Sequence, residues 1–245
     1  MGILSGIGNY FLLIRAALGP FEKPRLLYER VMLEMEDIGL NSIPIVALIA
    51  IFTGAVTTVQ TAYQIVSKLI TPDVIGAVVS DSMILELAPT ISSLVLAGRV
   101  GSSIASQIGS MRVTEQIDAL DVMGVNTPNF LVFPKIVAGV FTIPLLILMA
   151  MVLGIFSGML VGDLTGTVSH FDFIEGARSS FRPYTFFFAM IKSFTFAFLI
   201  VTISAYQGYH VSGGALEVGR ASTRAVVFSA INILLFDYIL AQLLL

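Results

Sequence analysis

The chain has no cysteine, which excludes disulfides and thiolate metal sites. Histidine is nearly as scarce: His170 and His210 are the only two, too few for a multi-histidine metal centre. Charge is the largest deficit. Charged residues make up 12% of the 245 residues, half of the roughly 25% typical of a soluble globular domain. A net charge of -3 makes no case for binding nucleic acid. Enzymatic signatures are missing as well. There is no Gly-x-x-x-x-Gly-Lys-Ser/Thr loop, so the chain does not hydrolyse ATP by that route. Neither His-Glu-x-x-His nor Gly-x-Ser-x-Gly occurs.

Apolar length is what the chain has in abundance. Hydrophobic residues make up 56% of it, and its mean hydropathy is +0.94. A spanning helix needs about 20 mostly apolar residues. Residues 38–67, 136–162 and 193–216 carry no charge, and the third run reaches back to Pro183 if Lys192 is admitted. Two more segments hold isolated charges: 82–109, with Glu86 and Arg99, and 225–245, with Asp237. The expectation is an all-α integral membrane protein with five spans, at about 42–67, 82–109, 134–162, 183–208 and 224–244.

Residues 1–37 differ from the apolar five-span body at 38–245. Ile3–Ile14 is apolar and short, but no basic residue precedes it, Arg15 follows it and no small-residue cleavage site is clear, so it reads as retained. Further on, Arg25, Glu29, Arg30, Glu34, Glu36 and Asp37 interleave with Leu26, Leu27, Val31, Met32, Met35 and Ile38 at helical spacing. That pattern predicts an amphipathic helix lying in the membrane interface. A helix packed on a partner protein would show the same pattern.

Lys and Arg placement sets orientation. With the N-terminus cytoplasmic, Arg15, Lys23, Arg25, Arg30, Arg99, Arg112, Lys135, Arg220 and Arg224 fall inside, against Lys68, Arg178 and Arg182 outside. The C-terminus, at Leu245, is then periplasmic. The inner connection from Gly109 to Pro134 predicts a short helix over 113–123, with Thr114 as its cap, an apolar edge of Ile117, Leu120 and Val122, and Gly124 and Pro128 ending it. Such a helix is either a solvated connector or a docking element.

Intramembrane charge is costly, at roughly 2.5–3.5 kcal/mol each on insertion scales. At a rise of 1.5 Å per residue, Lys192 lies roughly 13 Å and Asp237 roughly 12 Å from the outer ends of their spans, and Glu86 roughly 7 Å. Lys192 and Asp237 are therefore expected to pair across adjacent helices, with Glu86 nearby or lining a polar cavity. Snorkelling or a purely structural ion pair is the bland alternative. Small residues recur at Gly98, Gly101, Ala105 and Gly109, and at Gly154 and Gly158, which fits internal helix packing or a dimer face. Pro89, one turn beyond Glu86, is placed to kink its span. An autonomous secondary transporter could use Glu86, Lys192 and Asp237 as an ion or proton relay. Both histidines fall outside the spans, which argues against an intramembrane enzyme.

One stretch is specific. Residues 96–125, LAGRVGSSIASQIGSMRVTEQIDALDVMGV, strongly resemble the signature of MlaE-type permeases. Leu85-Glu-Leu-Ala-Pro89, Phe133-Pro-Lys135, Ile191-Lys-Ser193 and the run from Gly219 to Val227 match in the family's order, so the resemblance covers roughly residues 30–245. It implies the permease subunit of an ABC transporter in a bacterial inner membrane, with an interfacial helix, five spans and a homodimeric assembly. It further implies a cytoplasmic ATPase subunit holding ATP and Mg, a periplasmic MCE-domain partner, and phospholipid carried between inner and outer membranes. This chain itself would hold no cofactor or metal. By the same resemblance, residues 113–123 are the coupling helix, with Arg112, Thr114, Glu115, Gln116, Asp118 and Leu120 at the ATPase. Glu86, Lys192 and Asp237 fall at cavity positions, in a cavity expected between spans 1, 2 and 5. Some members carry Arg where this chain has Leu85, so Lys192 becomes the expected phosphate partner.

Overall fold

Apolar runs of this length become helices because lipid offers no hydrogen-bond partner, and every backbone amide must be paired within the chain. A computed structural model describes residues 3–19, 24–65 and 71–244, and no strand occurs among them. Expectations resting on Glu22, Lys23, Lys68, Leu245 and positions 66–67 lie outside the described residues. In chain order the helices are α1 (Ile3–Ala17), α2 (Pro24–Ile38), α3 (Ile43–Gln64), α4 (Asp73–Val113), α5 (Gln116–Val122), α6 (Thr127–Leu131), α7 (Phe133–Leu164), α8 (His170–Ser180), α9 (Pro183–Tyr209) and α10 (Ala215–Leu244). Five helical stretches are long and apolar enough to cross a membrane; they contain α3, α4, α7, α9 and α10.

Several boundaries move relative to the sequence expectation. The N-terminal segment holds two helices, not one. α1 leans on α9: Tyr10 Oη and Thr202 Oγ1 are 2.8 Å apart, and the Tyr206 hydroxyl donates to the Gly6 carbonyl at 3.1 Å. Burial pushes the Tyr10 phenol above its ordinary pKa. Asn129 Nδ2 donates to the carbonyls of Ala17 and Gly19, both at 2.7 Å, and so caps the end of α1. The helix that holds the second span begins at Asp73, upstream of the expected span at 82–109, and there Gly76 and Gly176 let α4 and α8 touch backbone to backbone. Asp81 marks a change in polarity and not a helix end. The last span likewise starts at Ala215 rather than 224.

Glycine also allows close contact between α3 and α7. Gly54 of α3 lies against the Gly154 carbonyl of α7, where any Cβ would collide, and Gly158 packs on Thr58. The Gly154-x-x-x-Gly158 face is therefore spent on packing within the chain. Gly101 and Gly109 of α4 similarly face Ser204 and Val211, whereas Gly98 meets open space. Leu48, Phe52, Phe141, Leu145, Phe156, Ile231 and Leu234 point away from the bundle. A contiguous apolar coat of this extent is not one that a water-soluble monomer exposes.

Candidate functional site

The polar centre of the bundle is built on a proline. A helical carbonyl at position 85 would take its bond from the N–H at 89, but Pro89 has none to give. The chain responds over Met83–Ile91 with wider, π-helical turns, and the helix continues without a break. Such bulges are frequent at functional sites. The Leu85 carbonyl, which in a π turn faces the N–H at 90, also accepts from a side chain: Lys192 Nζ of α9 donates to it at 3.1 Å. The same ammonium lies 2.7 Å from Glu86 Oε1 and 2.6 Å from Asp237 Oδ1 of α10. Thr90 Oγ1 sits 3.3 Å from Glu86 Oε2 and also 3.3 Å from Asp237 Oδ1. The Phe188 ring lies 5.0 Å from Lys192 Nζ and screens it from one side.

The sequence expectation placed Glu86, Lys192 and Asp237 near one another, and the structure brings all three into contact. Burial separates them sharply. The Lys192 side chain has 0% of its surface exposed, Asp237 18% and Glu86 46%. The expected phosphate role of Lys192 meets three competing acceptors. An ammonium has three N–H donors, and here three acceptors already engage them. The cluster joins spans 2, 4 and 5. Leu85 takes part through its carbonyl and not its side chain. Thr90 went unrecognised, although its spacing of four from Glu86 put both on one helix face.

The opposite end of the bundle carries a held loop helix. α4 ends at Val113, and Glu115 adopts a left-handed conformation with φ 60°. Its side chain makes no cap bond, and Thr114 Oγ1 donates back to the Ser110 carbonyl at 2.9 Å. Thr114 therefore closes the preceding helix and does not cap α5, so the expected helix over 113–123 shortens to Gln116–Val122. Arg112 Nη1 donates to Asp118 Oδ1 at 2.7 Å across this break. Beyond α5, the Thr127 hydroxyl reaches Asp121 Oδ1 at 2.8 Å. Ile117 is buried, Leu120 half-buried, and Gln116 exposed. Val122 is 89% exposed and Met123 stands beside it in the open. The apolar edge thus splits: Ile117 anchors the helix and Val122 presents outward.

A second buried lysine was also missed as a site. Lys135 Nζ lies 2.6 Å from Glu34 Oε1 of α2 and donates to Gln107 of α4. Nearby, the Arg30 guanidinium lies 3.4 Å over the Phe130 ring. A signal existed. Glu34 falls on the apolar face of α2 with Val31, Met35 and Ile38, where a charge demands a partner.

Five apolar spans that hold a charged cluster inside, with a braced loop helix exposed at one end, define a multi-pass membrane permease. The chain matches the family described as Permease MlaE over residues 31–243, and it belongs to that family. It is 36% identical to a probable ABC transporter permease protein of Rickettsia bellii, over 98% of this chain and 93% of that one. Similarity extends to TRIGALACTOSYLDIACYLGLYCEROL 1, a chloroplastic protein of Arabidopsis thaliana, at 33% identity over 90% of this chain and 63% of that one. The intermembrane phospholipid transport system permease protein MlaE of Haemophilus influenzae is 30% identical over 96% of this chain and 89% of that one. The protein is an ABC transporter permease.

Proposed function

We propose that this chain is the lipid-conducting subunit of an ATP-driven phospholipid transporter in a bacterial inner membrane. A separate cytoplasmic ATPase supplies the energy, holding ATP and Mg. The observation that carries the reading is the Glu86–Lys192–Asp237 cluster, a charged group set inside apolar spans and contributed by three of them. Membrane interiors retain such groups mainly where they line a path for polar cargo. The Haemophilus relative, a permease of a phospholipid transport system, supports lipid as that cargo. The N-terminus lies in the cytoplasm and the C-terminus in the periplasm, the orientation that the lysine and arginine bias favours.

In this reading α5 is the coupling helix. Arg112 and Asp118 brace it, Thr114 and Glu115 form its hinge, and Gln116, Leu120 and Val122 present its surface to the ATPase. ATP-driven closure of the ATPases pushes α5. The push reaches the outer leaflet through α4, the helix that also carries Glu86. Two copies of the chain enclose the cavity, and an MCE-domain protein receives the lipid in the periplasm. The test is native mass spectrometry of the complex extracted from its own membrane, together with Val122→Glu/Met123→Glu. The wild type should carry a P-loop ATPase and bound phospholipid. The double variant should lose the ATPase while keeping the lipid. Lipid movement by the isolated chain alone would instead support an ion-driven secondary transporter and end this proposal.

A further inference from the structure

Lys192 is closed to ligands. Glu86, Asp237 and the Leu85 carbonyl occupy its three donors, and its side chain has no exposed surface. A headgroup phosphate therefore finds no free ammonium there. The charge balance of the cluster points the other way, because two carboxylates against one ammonium leave a surplus negative charge. That surplus is presented at Glu86, the most exposed member at 46%. Glu86 commits Oε1 to Lys192. Its Oε2 has only a 3.3 Å contact with Thr90, whose single hydroxyl proton is shared with Asp237 at the same distance. The connections at this end of the bundle add to the bias: among the described residues Asp73, Asp81, Asp163, Asp172 and Glu175 outnumber Arg178 and Arg182.

We propose that Glu86 is the headgroup-selecting residue of the cavity and accepts the ammonium of an amine-bearing zwitterionic phospholipid through Oε2. This inference rests on the lipid-conducting reading and adds the class of headgroup. An anionic lipid without an amine brings like charge to a carboxylate. A zwitterionic one brings a charge-assisted hydrogen bond.

The experiment uses the intact complex, reconstituted in bilayers containing equal phosphatidylethanolamine and phosphatidylglycerol of identical acyl chains. Lipid retained on the complex is counted by native mass spectrometry against the bulk membrane. Phosphatidylethanolamine should be enriched about tenfold, the equivalent of roughly one charge-assisted hydrogen bond. N-acetyl phosphatidylethanolamine, which keeps the backbone but loses the positive charge, should show no enrichment. Glu86→Gln should bring the ratio to within about twofold of bulk, since its amide keeps the shape and removes the charge. The wild-type comparison of the three lipids needs no variant, so misfolding of Glu86→Gln leaves the test intact. Equal retention of all three lipids by the wild type, or an unchanged ratio in a folded Glu86→Gln, would overturn the proposal. Free ethanolamine in the millimolar range should leave the enrichment in place; its loss would overturn the lipid as carrier of the ammonium. A complex that holds no phospholipid at all would sink the lipid-conducting reading itself, a result distinct from lipid bound without preference.

Discussion

Among the described residues two lysines are buried, one toward each end of the bundle, and they are balanced differently. Lys135 has 5% of its side chain exposed and meets one carboxylate, Glu34, and one amide, Gln107. Arg30 also faces Glu34, so that cluster carries two cations against one carboxylate, and it straps α2 to the ends of α4 and α7. Lys192 meets two carboxylates and a carbonyl, and the cluster keeps a net negative charge. The two clusters are therefore opposite in sign. The negative one has a half-exposed member, Glu86. Burial of a lysine is therefore not the mark of the site; the sign of what remains after pairing is.

The largest expected effect breaks the charged cluster. Lys192→Met leaves Glu86 and Asp237 facing each other without a cation and takes one donor from the Leu85 carbonyl. Removing one partner of a buried ion pair costs about 3–5 kcal/mol. The midpoint of thermal inactivation should fall by roughly 10 °C. Because the chain has neither tryptophan nor cysteine, the fraction surviving heat is best followed by size exclusion in detergent. Neutralising the set together, with Lys192→Met, Glu86→Gln and Asp237→Asn, should recover most of that loss while abolishing lipid selection. A triple variant no more stable than the single would show that the cluster is held by more than its charges.

Lys135→Met should cost less, about 2 kcal/mol, because Glu34 keeps one-fifth of its side chain exposed and can recover solvent. The loss should be local. Hydrogen exchange should rise across Pro24–Ile38 while Pro183–Tyr209 stays protected. Equal deprotection of both helices would erase the distinction between strap and site.

Most of the architecture was legible in the sequence. Charge-free runs expose spans because lipid penalises charge so heavily, and the depths of Lys192 and Asp237 followed from helical rise alone. What was not legible depended on contacts between segments. α4 starts at Asp73, in the stretch where Gly76 meets α8. The left-handed turn at Glu115 could not be foreseen, since glycine or asparagine is the usual residue there. The role of Leu85 lies in its carbonyl, which no side-chain pattern reports: Pro89 removes the ordinary α-helical donor, and the wider turn leaves the oxygen open to Lys192.

The smallest expected effect tests whether the loop helix is independent of the Lys135 strap. Glu115 holds φ 60°, a conformation that favours glycine. Glu115→Gly relieves that strain but adds freedom to the unfolded chain, and the two terms offset to within about 1 kcal/mol. Glu115→Val, β-branched, has no such relief and should lose about 1–2 kcal/mol. Combined with Lys135→Met, each change should add to within about 0.5 kcal/mol if the hinge and the strap are separate devices. Coupling well beyond that, read from heat survival of the double variants, would join α5 to α2 in one mechanical unit. Lys135 would then lie on the path from the ATPase to Lys192, and the two ends of the bundle would differ in task but not in circuit.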